Sequence, residues 1–219
     1  SAPNWRLVKT DASSPHLSSW VDFIKEDEKR VLKSVDFVGG QMFATYMEDA
    51  YDKLYVINAN GTMGNELALP GIGSVRGFDG NDTATETYYR FTSFISPSTI
   101  YKYEIASGKS ELYRASEIDF DFDMYETKQI FYTSKDGSKV PMFITHKKGL
   151  KLDGTNPTYL YAYGGFNISI NPSFKVTMLP WLENGGIYAV ANIRGGGEYG
   201  EKWHKEGMLL NKQNVFDDF

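Results

Sequence analysis

Two glycine-rich loops carry the residues with the clearest chemical potential. Tyr163-Gly164-Gly165-Phe166 ends the apolar run 158–163 (TYLYAY), and Arg194-Gly195-Gly196-Gly197-Glu198-Tyr199-Gly200 follows the run 187–193 (IYAVANI). Acyl transfer needs a donor aimed at the oxygen that gathers negative charge, and a phenol supplies one without adding a negative charge of its own. Adjacent glycines let backbone come close to a bound acyl group. Tyr163 with Gly164 and Gly165 therefore reads as part of an oxyanion hole, and equally well as a turn with two packed aromatics. A serine nucleophile at a strand-to-helix elbow would need G-x-S-x-G. No serine has that setting, and Gly71-Ile72-Gly73-Ser74 comes nearest but misses the spacing. The second loop matches G-x-G-x-x-G in form, with Asp217 lying 20 positions after Gly197. A dinucleotide site also needs a helix opening at the third glycine and a strand ending at the acid, whereas 201–213 (EKWHKEGMLLNKQ) is polar, broken by Gly207 and strandless. Gly195, Gly196 and Gly197 are better explained as letting a loop pass close to neighbouring backbone.

Other chemistries find little support. His16, His146 and His204 are scattered, none with a second ligand at helical spacing, so neither a metal nor a cofactor is expected. His146 closes a strand ahead of Lys147-Lys148 and reads as surface-solvated. The 219 residues contain no cysteine, which removes disulfides and thiolate chemistry but fits either redox compartment. With 23 Lys and Arg against 28 Asp and Glu, the net charge of −5 offers no excess to neutralise phosphates. Nucleic acid and an anionic membrane are therefore disfavoured partners. No run approaches a membrane span and the first residues (SAPNWRLVKTD) lack a signal-peptide pattern. The sequons at Asn60, Asn81 and Asn167 mean little without a secreted context.

The elements that must position the loops follow two grammars. From 1 to about 117 the chain consists of short alternating runs broken by turn residues, the pattern of antiparallel strands. Runs 41–48 and 51–58 flank Asp49-Ala50, Asn60-Gly61 turns the chain, and 66–69 closes the group. Runs 86–92 and 99–105 pair likewise, Ser107-Gly108 turns, and 111–113 closes, with Gly61 and Gly108 standing 47 positions apart. Segments 6–10 and 20–24 supply an incomplete earlier copy. A repeat near 45 residues with four strands per unit indicates propeller blades, about two and a half of them; an open sheet of repeated hairpins is the alternative.

From 118 to 219 the pattern changes. Runs 129–133 and 140–145 flank the hairpin signal Asp136-Gly137, and 158–163 and 187–193 read as strands buried on both faces. Residues 173–184 suit a helix interrupted by Pro180 and closed by Gly185-Gly186, and Asn214 through Asp217 reads as the start of another. This is how an α/β sheet opens. The Tyr163 loop then stands where α/β-hydrolases carry their oxyanion-hole glycines.

The stretches YETKQIFYTSKDGSKVPMFITHKKGLKLDG, YLYAYGGFNISI, GGIYAVANIRGGGEYGEKWHKEG and NKQNVFDDF resemble the prolyl oligopeptidase family, and together they cover most of the last 95 residues. Residues 88–96 (YYRFTSFIS) look like that family's propeller. The Tyr163-Gly164-Gly165-Phe166 motif favours the prolyl-specific branch over the oligopeptidase B and dipeptidyl peptidase IV types. The resemblance implies a mixed fold: the last blades of a seven-bladed β-propeller (1–117), then the N-terminal part of an α/β-hydrolase domain (118–219). It implies a cytoplasmic or periplasmic serine endopeptidase that cleaves short peptides after proline under a covering propeller. Tyr163 matches the family's oxyanion-hole tyrosine, Phe166 a wall of its proline pocket, and Arg194 through Gly200 a structural loop. The serine, aspartate and histidine of the triad are expected beyond Phe219, so these residues alone are expected to be inactive. A non-enzymatic interaction module on the same scaffold is the alternative, and unpaired strand edges predict self-association.

Overall fold

A computed structural model describes residues 2–219. The chain opens with an antiparallel ribbon of β1 (Leu7–Lys9) and β2 (Val21–Ile24). Two four-stranded antiparallel sheets follow in simple meander order. The first comprises β3 (Val31–Val38), β4 (Gln41–Glu48), β5 (Tyr51–Ile57) and β6 (Met63–Leu67). The second comprises β7 (Ser74–Gly77), β8 (Glu86–Ser93), β9 (Ser96–Glu104) and β10 (Lys109–Arg114). Sequence reading located three strands per sheet and missed β3 and β7. In β3 a register shift between Leu32 and Ser34 breaks the alternation, and β7 is only four residues long.

Each sheet is packed on its neighbour rather than standing open. Val38, Phe43 and Leu54 of the first sheet meet Val75, Phe91 and Tyr103 of the second in one buried cluster. Phe78, between β7 and β8, stacks on Phe43 with centroids 4.5 Å apart, a geometry worth about 0.5–1.5 kcal/mol beyond area burial. The opposite face of the first sheet packs Ala44, Tyr46 and Tyr55 against Ile24 of the ribbon. Face-to-face stacking of four-stranded meanders is propeller-blade architecture. Asp52 is buried and ties the two sheets, accepting from Val75 N at 2.9 Å and from Lys33 Nζ at 2.6 Å.

The last part builds a mixed sheet from β11 (Tyr125–Thr133), β12 (Lys139–Lys147), β13 (Thr158–Tyr161) and β14 (Ile187–Ala191), in the order β11-β12-β14-β13. β13 and β14 run parallel while the other pairs are antiparallel. As the sequence indicated, β14 is buried throughout: Tyr188 and Val190 join one cluster, Ala191 the cluster on the other face. Within the described residues β13 is less covered: Tyr159 and Leu160 are exposed, and the strand pairs only with β14. Three short helices complete the chain: α1 (Leu179–Glu183), α2 (Gly200–Lys205) and α3 (Gln213–Asp218). Pro180 opens α1 rather than interrupting it, since its missing N–H falls where a helix has no partner for one. Asn214 does not cap α3; its side-chain amide donates to Glu206 O from inside the first turn.

The two parts share a core. Asp49 and Ala50, at φ 48° and 66°, make the tight β4–β5 turn, and Ala50 is sealed among Phe94, Phe143, Leu182 and Tyr188. Asp49 Oδ1 accepts from Tyr199 Oη at 2.8 Å, Ala50 O from Asn171 Nδ2 at 2.9 Å, and Asp49 O from Gln129 Nε2.

Candidate functional site

β13 delivers the chain to Tyr163, and the turn that follows is held from three sides. Gly164 has φ 63°, and a Cβ there would lie 2.6 Å from Ile193 Cγ1 and from Val215 Cγ1, so only glycine fits between the second loop and α3. The Gly164 carbonyl accepts from Lys212 Nζ at 2.7 Å. Phe166 and Asn167 follow with φ 53° and 57°. Consecutive non-glycine residues in that region cost about 1–2 kcal/mol each, and such strain persists only where surrounding contacts impose it. Here Asn167 N donates to Gly195 O at 3.1 Å, Ile168 N to Gly165 O at 3.0 Å, and His204 Nδ1 sits 2.8 Å from Gly195 O.

Neither aromatic of the turn is buried within the described residues. Tyr163 is 45% exposed and Phe166 is 84% exposed, and the Tyr163 hydroxyl has no hydrogen-bond partner among the described residues. A free phenol and a bare phenyl thus stand three residues apart on a strained turn. The phenol can donate to an anionic oxygen and the phenyl can cover an apolar ring. A cleft of about 580 Å³ borders the neighbouring loops, with Lys33, Met47, Asn167 and Gly197 on its walls, but neither Tyr163 nor Phe166 lines it.

The second loop is a scaffold. A Cβ on Gly195 would meet Gly164 O at 2.6 Å, one on Gly197 Asn167 O at 2.8 Å, and one on Gly200 Pro3 O at 2.8 Å. The glycines therefore let three strands of backbone touch. A helix does open at Gly200, contrary to the sequence reading, but Asp217 lies in α3 and not at a strand end. The space a phosphate would take near Gly196 holds the Glu198 carboxylate, 2.1 Å from where a Cβ would stand.

Arg194 is buried and anchors this scaffold. It reaches the Asp218 carboxylate through Nε at 2.9 Å and Nη2 at 2.6 Å, and Asp136 through Nη1 at 2.6 Å, while its own N–H donates to Asp218 Oδ2 at 2.9 Å. Ser134 Oγ adds a 2.6 Å bond to Asp218, and Tyr132 Oη donates to the Asp218 carbonyl. The Arg194 hydrogen bond holds the Asp136 carboxyl far below its usual range, and Asp218 lifts the guanidinium further above its own. Glu198 is also buried: Oε1 accepts from Ile170 N at 2.8 Å and Asn192 Nδ2 at 3.2 Å, and Oε2 has no partner. Burial pushes its carboxyl upward against those two bonds. Burial and the Asp49 carboxylate together raise Tyr199.

Sequence reading missed Lys212, His204, Glu198 and Asp218, whose only local signals were their places in a glycine loop or a helix turn. It also misplaced His146, which is 1% exposed rather than solvated. The β12 strand turns it inward, where Nδ1 faces Lys147 O at 2.9 Å and Nε2 lies 3.9 Å from Glu126 Oε1. Among the described residues no group of three or more His, Cys, Asp or Glu assembles as a metal site.

The family model described as "Prolyl oligopeptidase, N-terminal beta-propeller domain" matches residues 1–116, and that of the "Prolyl oligopeptidase family" matches 172–219. The chain belongs to the prolyl oligopeptidase family. It is 50% identical over 218 residues to a prolyl endopeptidase of Elizabethkingia meningoseptica, covering all of this chain and 31% of that protein. It is 36% identical over 226 residues to a dual function macrocyclase-peptidase of Amanita bisporigera, covering 30% of it. A solved structure from a study of inter-domain dynamics in two prolyl endopeptidases superposes with a TM-score of 0.92 at 45% identity, over the whole chain and 32% of its own. A Galerina marginata prolyl oligopeptidase B bound to a 35mer hydrolysis and macrocyclization substrate superposes at 0.90 with 34% identity, over the whole chain and 31% of its own. This prolyl oligopeptidase family chain thus spans about a third of the length of the relatives it matches, and joins propeller blades to the start of the hydrolase domain.

Proposed function

We propose that these residues supply the oxyanion donor and one wall of the proline subsite to a serine-type endopeptidase that cleaves short peptides on the carboxyl side of proline. The observation that carries the reading is the strained 163–167 turn, which holds an unpartnered phenol and a bare phenyl outward. Its support is the likeness to prolyl endopeptidases along the whole chain. In this reading Tyr163 and backbone N–H groups stabilise the tetrahedral oxyanion. A serine, its histidine base and the aspartate that orients it come from sequence after Phe219. The exposed edge of β13 offers Tyr159 and Leu160 as the place where a further parallel strand pairs.

Two assays test this. In the longer protein, Tyr163→Phe is expected to lower kcat on a chromogenic prolyl peptide by about 10²–10³, or ~2.7–4 kcal/mol. An unchanged rate would remove Tyr163 from the oxyanion site. The 219-residue chain by itself is expected to be silent on the same peptide, and proline-specific turnover by it would overturn the placement of the triad. The open edges of β10 and β13 further support self-association of the isolated chain, which light scattering at rising concentration would show as a mass above 24.7 kDa.

A further inference from the structure

We propose that Lys212 and His204 are positioning residues that set the two working side chains of the 163–167 turn separately: Lys212 sets the Tyr163 phenol and His204 sets Phe166. The inference rests on the reading of Tyr163 as oxyanion donor and Phe166 as subsite wall.

Lys212 precedes α3 and donates from Nζ to the Gly164 carbonyl at 2.7 Å. That carbonyl belongs to the second peptide after Tyr163, and Gly164 is pressed from the other side by Ile193 and Val215. With φ fixed at 63° and the carbonyl tethered, the direction in which the chain leaves Tyr163 is fixed too. Lys212 does not float, because Asp218 bolts α3 to Arg194 in the loop after β14, to Tyr132 of β11 and to Ser134. A chain of contacts therefore runs from the buried arginine through α3 and Lys212 to the turn bearing the phenol.

His204 works on the other end of the turn. Its Nδ1 lies 2.8 Å from Gly195 O, the same carbonyl that accepts from Asn167 N at 3.1 Å. Asn167 N also stands as a donor to Nδ1 at 3.1 Å, a bond that the Nε2–H tautomer would accept; in the Nδ1–H tautomer, the one our proposal uses, both nitrogens donate to the Gly195 oxygen. The shared acceptor holds Asn167 in the left-handed region directly after Phe166, which has no side-chain packing of its own to orient it. Without His204 the Gly195 carbonyl loses one of its two donors, and the strain at Phe166 and Asn167 is free to relax.

The experiment uses the longer natural protein, with a peptide containing proline before the cleaved bond. Lys212→Met is expected to lower kcat about tenfold with KM within about twofold, since it misplaces a group that acts in the transition state. Lys212→Arg, which keeps a cationic donor, restores most of the rate. His204→Ala is expected to raise KM about fivefold with kcat held within about twofold, and His204→Asn, with an amide donor near the Nδ1 place, rescues it. Hydrogen exchange is the readout independent of turnover: amides of 164–168 exchange faster in Lys212→Met and His204→Ala than in wild type. Unaltered exchange in an active protein overturns the positioning roles, as does faster exchange with kcat and KM unchanged. Equal losses in kcat and KM for both variants overturn the separation of the two roles. A wild-type protein that leaves prolyl peptides uncut refutes the underlying reading of the site.

Discussion

At the residue scale, two buried carboxyl groups make opposite demands on their surroundings. Asp218 is matched by a guanidinium, a hydroxyl and a backbone N–H, so Arg194→Met leaves an uncompensated charge. Breaking such a pair costs about 3–5 kcal/mol, read as a lower denaturation midpoint for Arg194→Met than for wild type. Glu198 has no counter-charge, and its folded pKa is raised. Below the ordinary carboxylate range both folded and unfolded chains hold that proton and burial is harmless. As pH rises past that range the unfolded chain ionises first, so stability is lost with rising pH until the folded pKa is passed. Glu198→Gln cannot ionise, and its stability relative to wild type is expected to grow between pH 4 and pH 7 in urea titrations. A difference that stays flat across that interval would show Glu198 already ionised in the fold. Asp136 runs the other way: its depressed carboxyl favours folding above the ordinary range and loses that contribution as pH falls. Tyr163 and Phe166 were visible in the sequence because a tyrosine, two glycines and a phenylalanine after an apolar run form a local signal. Glu198 and His146 were not, since what buries them arrives from residues 28 positions away at Ile170, or 20 positions away at Glu126.

At the scale of elements, β8 was legible from strict alternation with one face to a core, whereas β4 and β5 pack on both faces and were legible as β-rich runs bounded by turn residues. Strand β3 was lost where its register shifts between Leu32 and Ser34, and the helices are five or six residues long, too short to show a period. An apolar run such as β13 reads the same whether a neighbour covers it or not. The contact between the two glycine loops is a place where an element tolerates nothing larger than hydrogen. Gly195 has φ 90°, and a methyl there would lie 2.6 Å from the backbone oxygen of Gly164, which has no rotamer by which to yield. Gly195→Ala is expected to cost about 2–4 kcal/mol and to drive the loops apart. Gly137→Ala, also at positive φ but with nothing within 4 Å, should cost less than Gly195→Ala. Thermal melts of the two variants side by side give the comparison, and equal losses would show that strain in φ, not the contact, sets the penalty.

At the scale of the molecule, the blades and the hydrolase sheet are joined through a turn whose details no sequence period announces. Asp49-Ala50 could be recognised as a connection, but not as a peg in the other half. Tyr199→Phe strips Asp49 Oδ1 of its 2.8 Å partner, and is expected to cost about 1–3 kcal/mol. In a double-mutant cycle with Asp49→Ala, most of that loss should disappear when both are changed, since the two side chains lie in one contact. Full additivity would mean that the hydroxyl contributes nothing through Asp49.

The shared core also fixes an order of events on the ribosome. Ala50 and Phe94 emerge before the surfaces that enclose them, Phe143, Leu182 and Tyr188, which are encoded downstream. At roughly 5–20 residues per second, about 5–20 seconds of translation separate Phe94 from Tyr188. During that interval the nascent blades carry an uncapped apolar face. Slowing elongation between the two halves should therefore increase binding of the emerging chain to chaperones, and hastening it should reduce that binding.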